Sequence, residues 1–172
     1  MEDRKKIESL PRDPAIDEED NFDYSSVLIK KPWGHEYLAF NNKDVALWIL
    51  HINHGFRTSL HCHPSKKTSL VVLRGEARFS TLKNVFNIKV GDGFLIDKGV
   101  FHMTESVSTD GILIMETETP KNKKNLVRLD DRYGREGKRY ESGGLYVRER
   151  DTSFDAFHKE EERYNLKNFG HC

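Results

Sequence analysis

The sequence has few cysteines and no long apolar segment. Its two cysteines, Cys62 and Cys172, lie far apart in the 172-residue chain, which does not resemble a disulfide framework. No run approaches the roughly 18 apolar residues of a membrane span, and residues 1–10 are charged rather than the hydrophobic core of a signal peptide. These features favour a cytoplasmic protein without a membrane partner.

The chain also lacks an excess of charge of either sign. Lys and Arg total 28, Asp and Glu total 28, and the formal net charge is zero. A neutral chain has no global field that attracts nucleic acid, so we expect no nucleic-acid partner and only local anion specificity. This length fits one domain with extensions.

Short runs rich in β-branched and aromatic residues fill the middle of the chain. From residue 24 to 135, Gly- and Asn-containing turns separate these runs, which predicts an all-β sandwich or barrel. Residues 1–23 are charged and predict a flexible arm, unless a partner subunit exchanges it. Residues 136–172 form a polar C-terminal extension, in which residues 152–166 could form a helix.

Three histidines form the candidate metal site. His61 and His63 are two residues apart in a strand-like run, so their imidazoles share a face, while Cys62 points the other way and is expected to pack. His102 follows a Gly-rich strand connection, which an antiparallel sheet can bring opposite the pair. Three neutral imidazoles leave coordination positions open for catalysis. An exposed pair arising by chance is the alternative.

The glycines around these histidines carry a family resemblance. The segment from Gly55 to Gly75 reads G-x5-H-x-H-x11-G and resembles the first cupin motif. The segment from Gly91 to His102 reads G-x7-G-x2-H and resembles the second. The resemblance implies a double-stranded β-helix, or jelly-roll barrel, whose three histidines hold one divalent ion (Zn, Fe, Mn or Ni). The first motif's usual glutamate is Thr68 here.

A narrower resemblance extends over residues 31–135. KPWGHEYL, TSLHCHPSKKTSLVVLRG and LIMETETPKNKKNLVRLDDRYGR are similar to segments of cupin-type mannose-6-phosphate isomerases, which also form the C-terminal region of mannose-1-phosphate guanylyltransferases. By position, that family's glutamine ligand becomes His61, its arginine becomes Lys66 and its glutamate becomes Thr68. The motifs of the scaffold match that family better than the residues of the site do. The resemblance therefore implies a relative that acts on a related anionic substrate in polysaccharide biosynthesis.

Four residues are candidates for binding that substrate. A metal held by imidazoles without a carboxylate keeps its double charge, so Thr68 favours an anionic chelating substrate. Lys66 and Lys67 are expected at the rim of the barrel, where they would hold a phosphate or carboxylate, and Arg57 is a further rim candidate. A solvated turn is the alternative for the two lysines.

Three residues are candidates for proton transfer. Isomerisation of a sugar needs a base that moves a proton between adjacent carbons while the metal polarises the carbonyl. His51, His54 and Glu116 are the candidates. Glu116 shares strand parity with Ile112 and Ile114, so it has a raised pKa if that face lines the barrel and lies at the surface otherwise.

The sequence leaves three functions open. The first is a metal-dependent isomerase or epimerase of a sugar phosphate or nucleotide-linked sugar. The second is a non-heme iron oxygenase that uses the three histidines, and the third is a non-catalytic sugar-binding cupin. Because cupin barrels often pair through sheet edges and terminal arms, we also expect a homodimer.

Overall fold

The computed structural model describes residues 2–10, 19, 21–25, 27–136 and 146–147. The described residues form a helix, α1 (Glu2–Ser9), which is too short and too polar to cross a membrane. They also form twelve strands. The strands are β1 (Leu28–Lys31), β2 (Gly34–Asn41), β3 (Ala46–Ile52), β4 (Leu60–Cys62), β5 (Lys67–Arg74), β6 (Glu76–Thr81), β7 (Val85–Lys89), β8 (Gly93–Ile96), β9 (His102–Ser106), β10 (Ile112–Thr119), β11 (Val127–Asp130) and β12 (Tyr146–Val147).

The strands form two antiparallel sheets. The larger sheet has the order β12-β1-β2-β3-β10-β5-β8, and the smaller has the order β11-β4-β9-β6-β7. Neighbours such as β4 and β9 are far apart in sequence, so long-range pairing builds both sheets. The predicted all-β architecture is confirmed.

The core lies between the sheets and follows the period of two that strands impose on side chains. In β3, Trp48 and Ile52 are fully buried, and in β10 Ile112 and Ile114 are at most 1% exposed. Burying such a side chain stabilises the fold by about 1.5–3 kcal/mol. The same parity directs Glu116 of β10 towards the interior.

Gly34 allows the chain to enter β2 against β3. Its φ is 149°, and a Cβ at this position would lie 2.0 Å from the carbonyl oxygen of His51. That oxygen belongs to the backbone of β3, so it can move away only if β2 and β3 separate. The position therefore accepts only glycine.

The described part of the N-terminal segment, for which the sequence predicts an arm, contains a helix. Helix α1 places Ile7 in a second apolar cluster with Cys62, Phe101 and Val127, where Ile7 is only 9% exposed. Because Ile7 is buried in this cluster, helix α1 packs against the rest of the protein although the segment is mostly charged. Cys62 is fully buried in the same cluster, as its parity predicts. The helix expected at residues 152–166 lies outside the described residues.

Candidate metal centre and its cavity

The three histidines meet where β4 and β9 pair. His61 of β4 and His102 of β9 are register partners, and His63 follows β4 directly. Their ring centroids are 4.5–5.5 Å apart, and one ligand nitrogen of each lies within 4.8 Å of the others. The cluster could therefore hold a metal ion.

Backbone carbonyls fix the tautomer of each imidazole. The Nδ1 atoms of the three histidines lie 2.8 Å from the carbonyl oxygen of Ser59, 2.6 Å from that of Asn125 and 3.0 Å from that of Val100. Because a carbonyl only accepts hydrogen bonds, each Nδ1 donates, and each Nε2 keeps a lone pair for a metal. This arrangement orients the rings before any ion binds.

Burial keeps these imidazoles neutral. Desolvation lowers the pKa of His102 to about 4 and holds the pKa values of His61 and His63 well below the ordinary range. The positive charge of Lys66 lowers all three further. The buried Nε2 of His63 has no hydrogen-bond partner among the described residues. A buried nitrogen without a partner, in a set of neutral imidazoles, fits a divalent metal ion.

The histidines line a cavity of about 60 Å³ between the two sheets. Glu116 lines the same cavity. Burial raises the pKa of its carboxyl above the ordinary value, although the ammonium groups of Lys123 and Lys66 oppose this. The cavity therefore combines metal-ligand nitrogens with a carboxyl group whose pKa is raised above its ordinary value.

A second inward-facing carboxylate, Glu118, has the opposite character. It is fully buried, forms an ion pair with Lys66, and accepts a 2.8 Å hydrogen bond from Trp48 Nε1. Burial alone raises the pKa of Glu118, but the charges of Lys66 and Lys123 outweigh it and hold the pKa below its ordinary value. Glu118 is thus an ionised structural partner, whereas burial shifts the pKa of Glu116 in the opposite direction.

Glu36, Lys31 and Lys123 form a further buried charge cluster that sequence reasoning missed. Glu36 Oε1 lies 3.4 Å from Lys31 Nζ and 3.3 Å from Lys123 Nζ. Lys123 Nζ also lies 3.7 Å from the centroid of the Trp48 ring. Strand parity could have placed Glu36 inside, but no local pattern marks Lys123, which lies in the loop after β10.

The structure corrects the predicted rim. Lys66 is 2% exposed, and its ammonium group lies inside the barrel rather than at its mouth. Lys66 continues the inward face of β5. The carboxylate of Glu118, with which it forms an ion pair, makes its burial possible. Lys67 is at the surface but pairs with Asp97 at 2.8 Å, and Arg57 pairs with Asp130 at 2.7 Å.

The remaining predicted residues lie away from the cavity of the described chain. Thr68 is buried, but it does not line the cavity, and its hydroxyl has no hydrogen-bond partner in this part of the chain. His51 has outward parity in β3, with Nε2 3.3 Å from the carbonyl oxygen of Asp110. His54 Nδ1 lies 3.0 Å from the carbonyl oxygen of Ser108. Neither histidine is placed for proton transfer at the three-histidine cluster.

Comparisons with solved structures show which fold the chain has. An RmlC-like cupin from Shewanella frigidimarina superposes with a TM-score of 0.51 at 16% identity, covering 60% of this chain and 94% of that one. The chain has the cupin fold. A protein from Klebsiella pneumoniae with a double-stranded β-helix domain gives a TM-score of 0.51 at 17% identity over 70% of this chain and 98% of its own.

A cupin sugar phosphate isomerase from Silicibacter pomeroyi gives a TM-score of 0.51 at 10% identity, over 56% of this chain and 66% of its own. At these identities the likeness establishes the cupin fold and no particular activity. It supports the broad cupin resemblance but not the narrower one to mannose-6-phosphate isomerases. Neither the family models nor the curated proteins that were searched match the sequence.

Proposed function

We propose that this cupin is a metal-dependent enzyme that acts on a small anionic metabolite. His61, His63 and His102 hold one divalent ion, and Glu116 transfers a proton. The observation that carries the proposal is that three oriented imidazoles and a carboxyl of raised pKa line one cavity. A metal ligand set beside a tuned acid or base is the arrangement expected of an active site.

Isomerisation or epimerisation of a sugar phosphate or nucleotide-linked sugar is the reaction we favour. A bound divalent ion supplies polarisation of a carbonyl or hydroxyl oxygen. The ionised carboxylate of Glu116 takes a proton from the adjacent carbon and returns it to the neighbouring carbon or to the opposite face of the same carbon. A barrel of the same fold belongs to a sugar phosphate isomerase in Silicibacter pomeroyi, so this scaffold is compatible with the reaction.

The size of the cavity limits what reaches the metal. About 60 Å³ accommodates only a few water-sized groups. We therefore expect the reacting end of the substrate, two or so carbons with their oxygens, to enter the barrel while the rest stays at the mouth.

Proton exchange with solvent tests this function. Candidate sugar phosphates and nucleotide sugars are incubated in heavy water with the metal-loaded protein, and deuterium uptake at carbon is followed by NMR. We expect uptake with at least one substrate, and its loss in Glu116→Gln. The matched control is Glu105→Gln, since Glu105 is an acid that pairs with Arg78 outside the cavity. Absence of exchange across a broad panel contradicts the proposal.

A three-histidine iron oxygenase is the second candidate. It is favoured by the donor set, because Thr68 supplies no carboxylate and the described cluster consists of imidazoles. Metal analysis of the untagged protein separates the two functions. Iron as isolated, together with oxygen consumption on adding substrate, supports the oxygenase, whereas zinc or manganese without oxygen consumption supports the isomerase.

A further inference from the structure

An apolar cluster lies directly behind the three histidines, on the outer face of the smaller sheet. Its buried members are Ile7, Cys62, Phe101 and Val127. Cys62 stands between His61 and His63 in the chain, and Phe101 immediately precedes His102. Val127 of β11 is the register partner of Cys62. Three of the four members therefore belong to the backbone that carries the candidate ligands, or pair with that backbone.

Ile7 of α1 closes this cluster from the solvent side. Its exposed fraction is 9%, whereas Arg4 and Glu8 of the same helix form a surface pair whose side chains are 86% and 63% exposed. Leu10, just after the helix, packs against the same cluster. Because an eight-residue helix is marginal in water by itself, α1 depends on tertiary contact, and Ile7 is its buried apolar anchor.

Ile7 also contacts the turn before β9, and this turn orients two of the histidines. A Cβ at Gly99 would lie 3.1 Å from Ile7 Cδ1. The backbone N–H of Gly99 donates a 2.9 Å hydrogen bond to the carbonyl oxygen of His63. The carbonyl oxygen of Val100 accepts the 3.0 Å hydrogen bond from His102 Nδ1. A movement of this turn would therefore displace two of the candidate ligands.

The strand pairing at the metal centre is short, so packing behind it adds to what the register fixes. Strand β4 consists of three residues, and in the described chain it pairs with β9 at the single position His61–His102. One paired position sets the separation of the two strands at that point but leaves their relative twist weakly restrained. Close-packed side chains on the opposite face limit the remaining backbone movement.

We propose that Ile7 is a positioning residue of the metal centre, which holds the three histidines in metal-binding geometry by packing behind them. The inference rests on the metal site of the proposed function. Ile7 cannot reach the ion, because side chains on a strand alternate between faces and Cys62 points away from the histidine side. Ile7 therefore acts through the backbone at Cys62 and Gly99. Groups that orient metal ligands from outside change metal affinity by about ten- to a hundredfold.

Zinc binding to the metal-free protein tests the proposal without any turnover. The full-length chain is stripped with a chelator, and its zinc affinity is measured by competition with a chromophoric chelator. Ile7→Ala leaves a gap behind the histidines and should weaken zinc binding by about tenfold or more. Ile7→Leu conserves the volume of the side chain and should bind zinc nearly as tightly as the wild type.

Ile88→Ala is the matched control for a general loss of stability. Ile88 is a 3% exposed isoleucine of the main core, and it does not line the cavity. This variant should lower the melting temperature at least as much as Ile7→Ala does, yet leave zinc affinity unchanged. Affinities are compared at a temperature where circular dichroism shows every variant folded. If Ile7→Ala does not fold, Ile7→Val replaces it with a smaller expected weakening.

Hydrogen exchange of the α1 amides gives an independent readout. Coupling between two sites is reciprocal, so a bound ion should stabilise the docked helix by the same factor by which docking tightens ion binding. We expect exchange in α1 to slow by about tenfold when zinc is added to the wild type. Exchange in α1 that does not respond to bound zinc contradicts the coupling.

Equal zinc affinity in the wild type and Ile7→Ala, or equal weakening by Ile88→Ala, overturns the proposal. Its failure is distinguishable from failure of the proposed function. Zinc affinity that depends on Ile7, in a protein that exchanges no substrate protons, overturns the reaction and leaves the positioning role. Proton exchange in a protein whose zinc affinity is insensitive to Ile7 overturns the positioning role and leaves the reaction. Wild-type protein that binds no zinc overturns the metal centre and the positioning role together.

Discussion

His61 and His102 are direct partners in the antiparallel register of β4 and β9, and their ring centroids lie 4.5 Å apart. Directly opposite residues of an antiparallel pair project from the same face of the sheet. His63 shares that face because it is two residues from His61. The pairing of strands therefore sets the spacing of the candidate ligands, which makes their geometry rigid.

Metal content should depend on each of these histidines. We expect His61→Ala, His63→Ala and His102→Ala to reduce bound metal sharply, because two imidazoles hold a divalent ion poorly. His51→Ala and His54→Ala are matched controls and should retain it. The ratio of metal to protein, measured by elemental mass spectrometry, tests this prediction. Full occupancy in the His61→Ala, His63→Ala double variant would falsify the site.

The stability of the protein should report the raised pKa of Glu116. Burial raises this pKa above 4.5 in the folded state, so its stabilising contribution is full below about pH 4.5 and is lost as pH rises through the raised value. Glu116→Gln has no carboxyl group to ionise, so the variant does not lose this stability as pH rises. Its melting temperature should exceed that of the wild type by a few degrees at pH 8, with a smaller gain at pH 4. A gain that is independent of pH contradicts the assignment.

Removing only one member of the Lys66–Glu118 ion pair should strongly reduce the stability of the protein. Lys66→Met leaves the Glu118 charge buried and should cost about 3–5 kcal/mol in free energy of unfolding. Adding Glu118→Gln removes that charge while keeping an acceptor for Trp48, so the double variant should recover part of the loss. Urea unfolding of the four proteins measures the coupling. Additive losses would show that the two side chains are independent.

The exposed pair Lys67 and Asp97 is the control for that cycle. Their side chains are 49% and 67% exposed, and the pair is 2.8 Å apart. Water screens such a pair, so replacing both residues should change the free energy of unfolding by less than about 1 kcal/mol.

The close approach at Gly34 should make it intolerant of a methyl group. Gly34→Ala places a Cβ 2.0 Å from the carbonyl oxygen of His51, which forces β2 and β3 apart and should prevent stable folding. Gly91→Ala is the control, since its Cβ meets nothing within 4 Å although its φ is 89°. It should cost about 1–2 kcal/mol from backbone strain alone. Circular dichroism and thermal melting compare the two, and equal losses would contradict the steric argument.

Local sequence pattern determined the main features of the barrel and the candidate ligands. Turn residues at short intervals predicted antiparallel strands, and the spacing of His61 and His63 placed both imidazoles on one face. Parity likewise placed Glu116 on the same face as Ile114, and the structure shows that this face lines the cavity. These inferences succeed because side chains alternate between faces with a fixed period of two, which depends on the backbone alone.

Only the tertiary structure decided the charges inside the barrel. The sequence predicted Lys66 at the rim of the barrel or in a solvated turn, because its partner, Glu118, lies 52 positions later in the chain and no local period connects them. Lys123 follows a strand in a loop, where parity gives no direction, yet folding sets it beside Glu36 and Trp48. Whether a charged side chain is buried depends on which partner the sheet register brings to it, and that register is a long-range property.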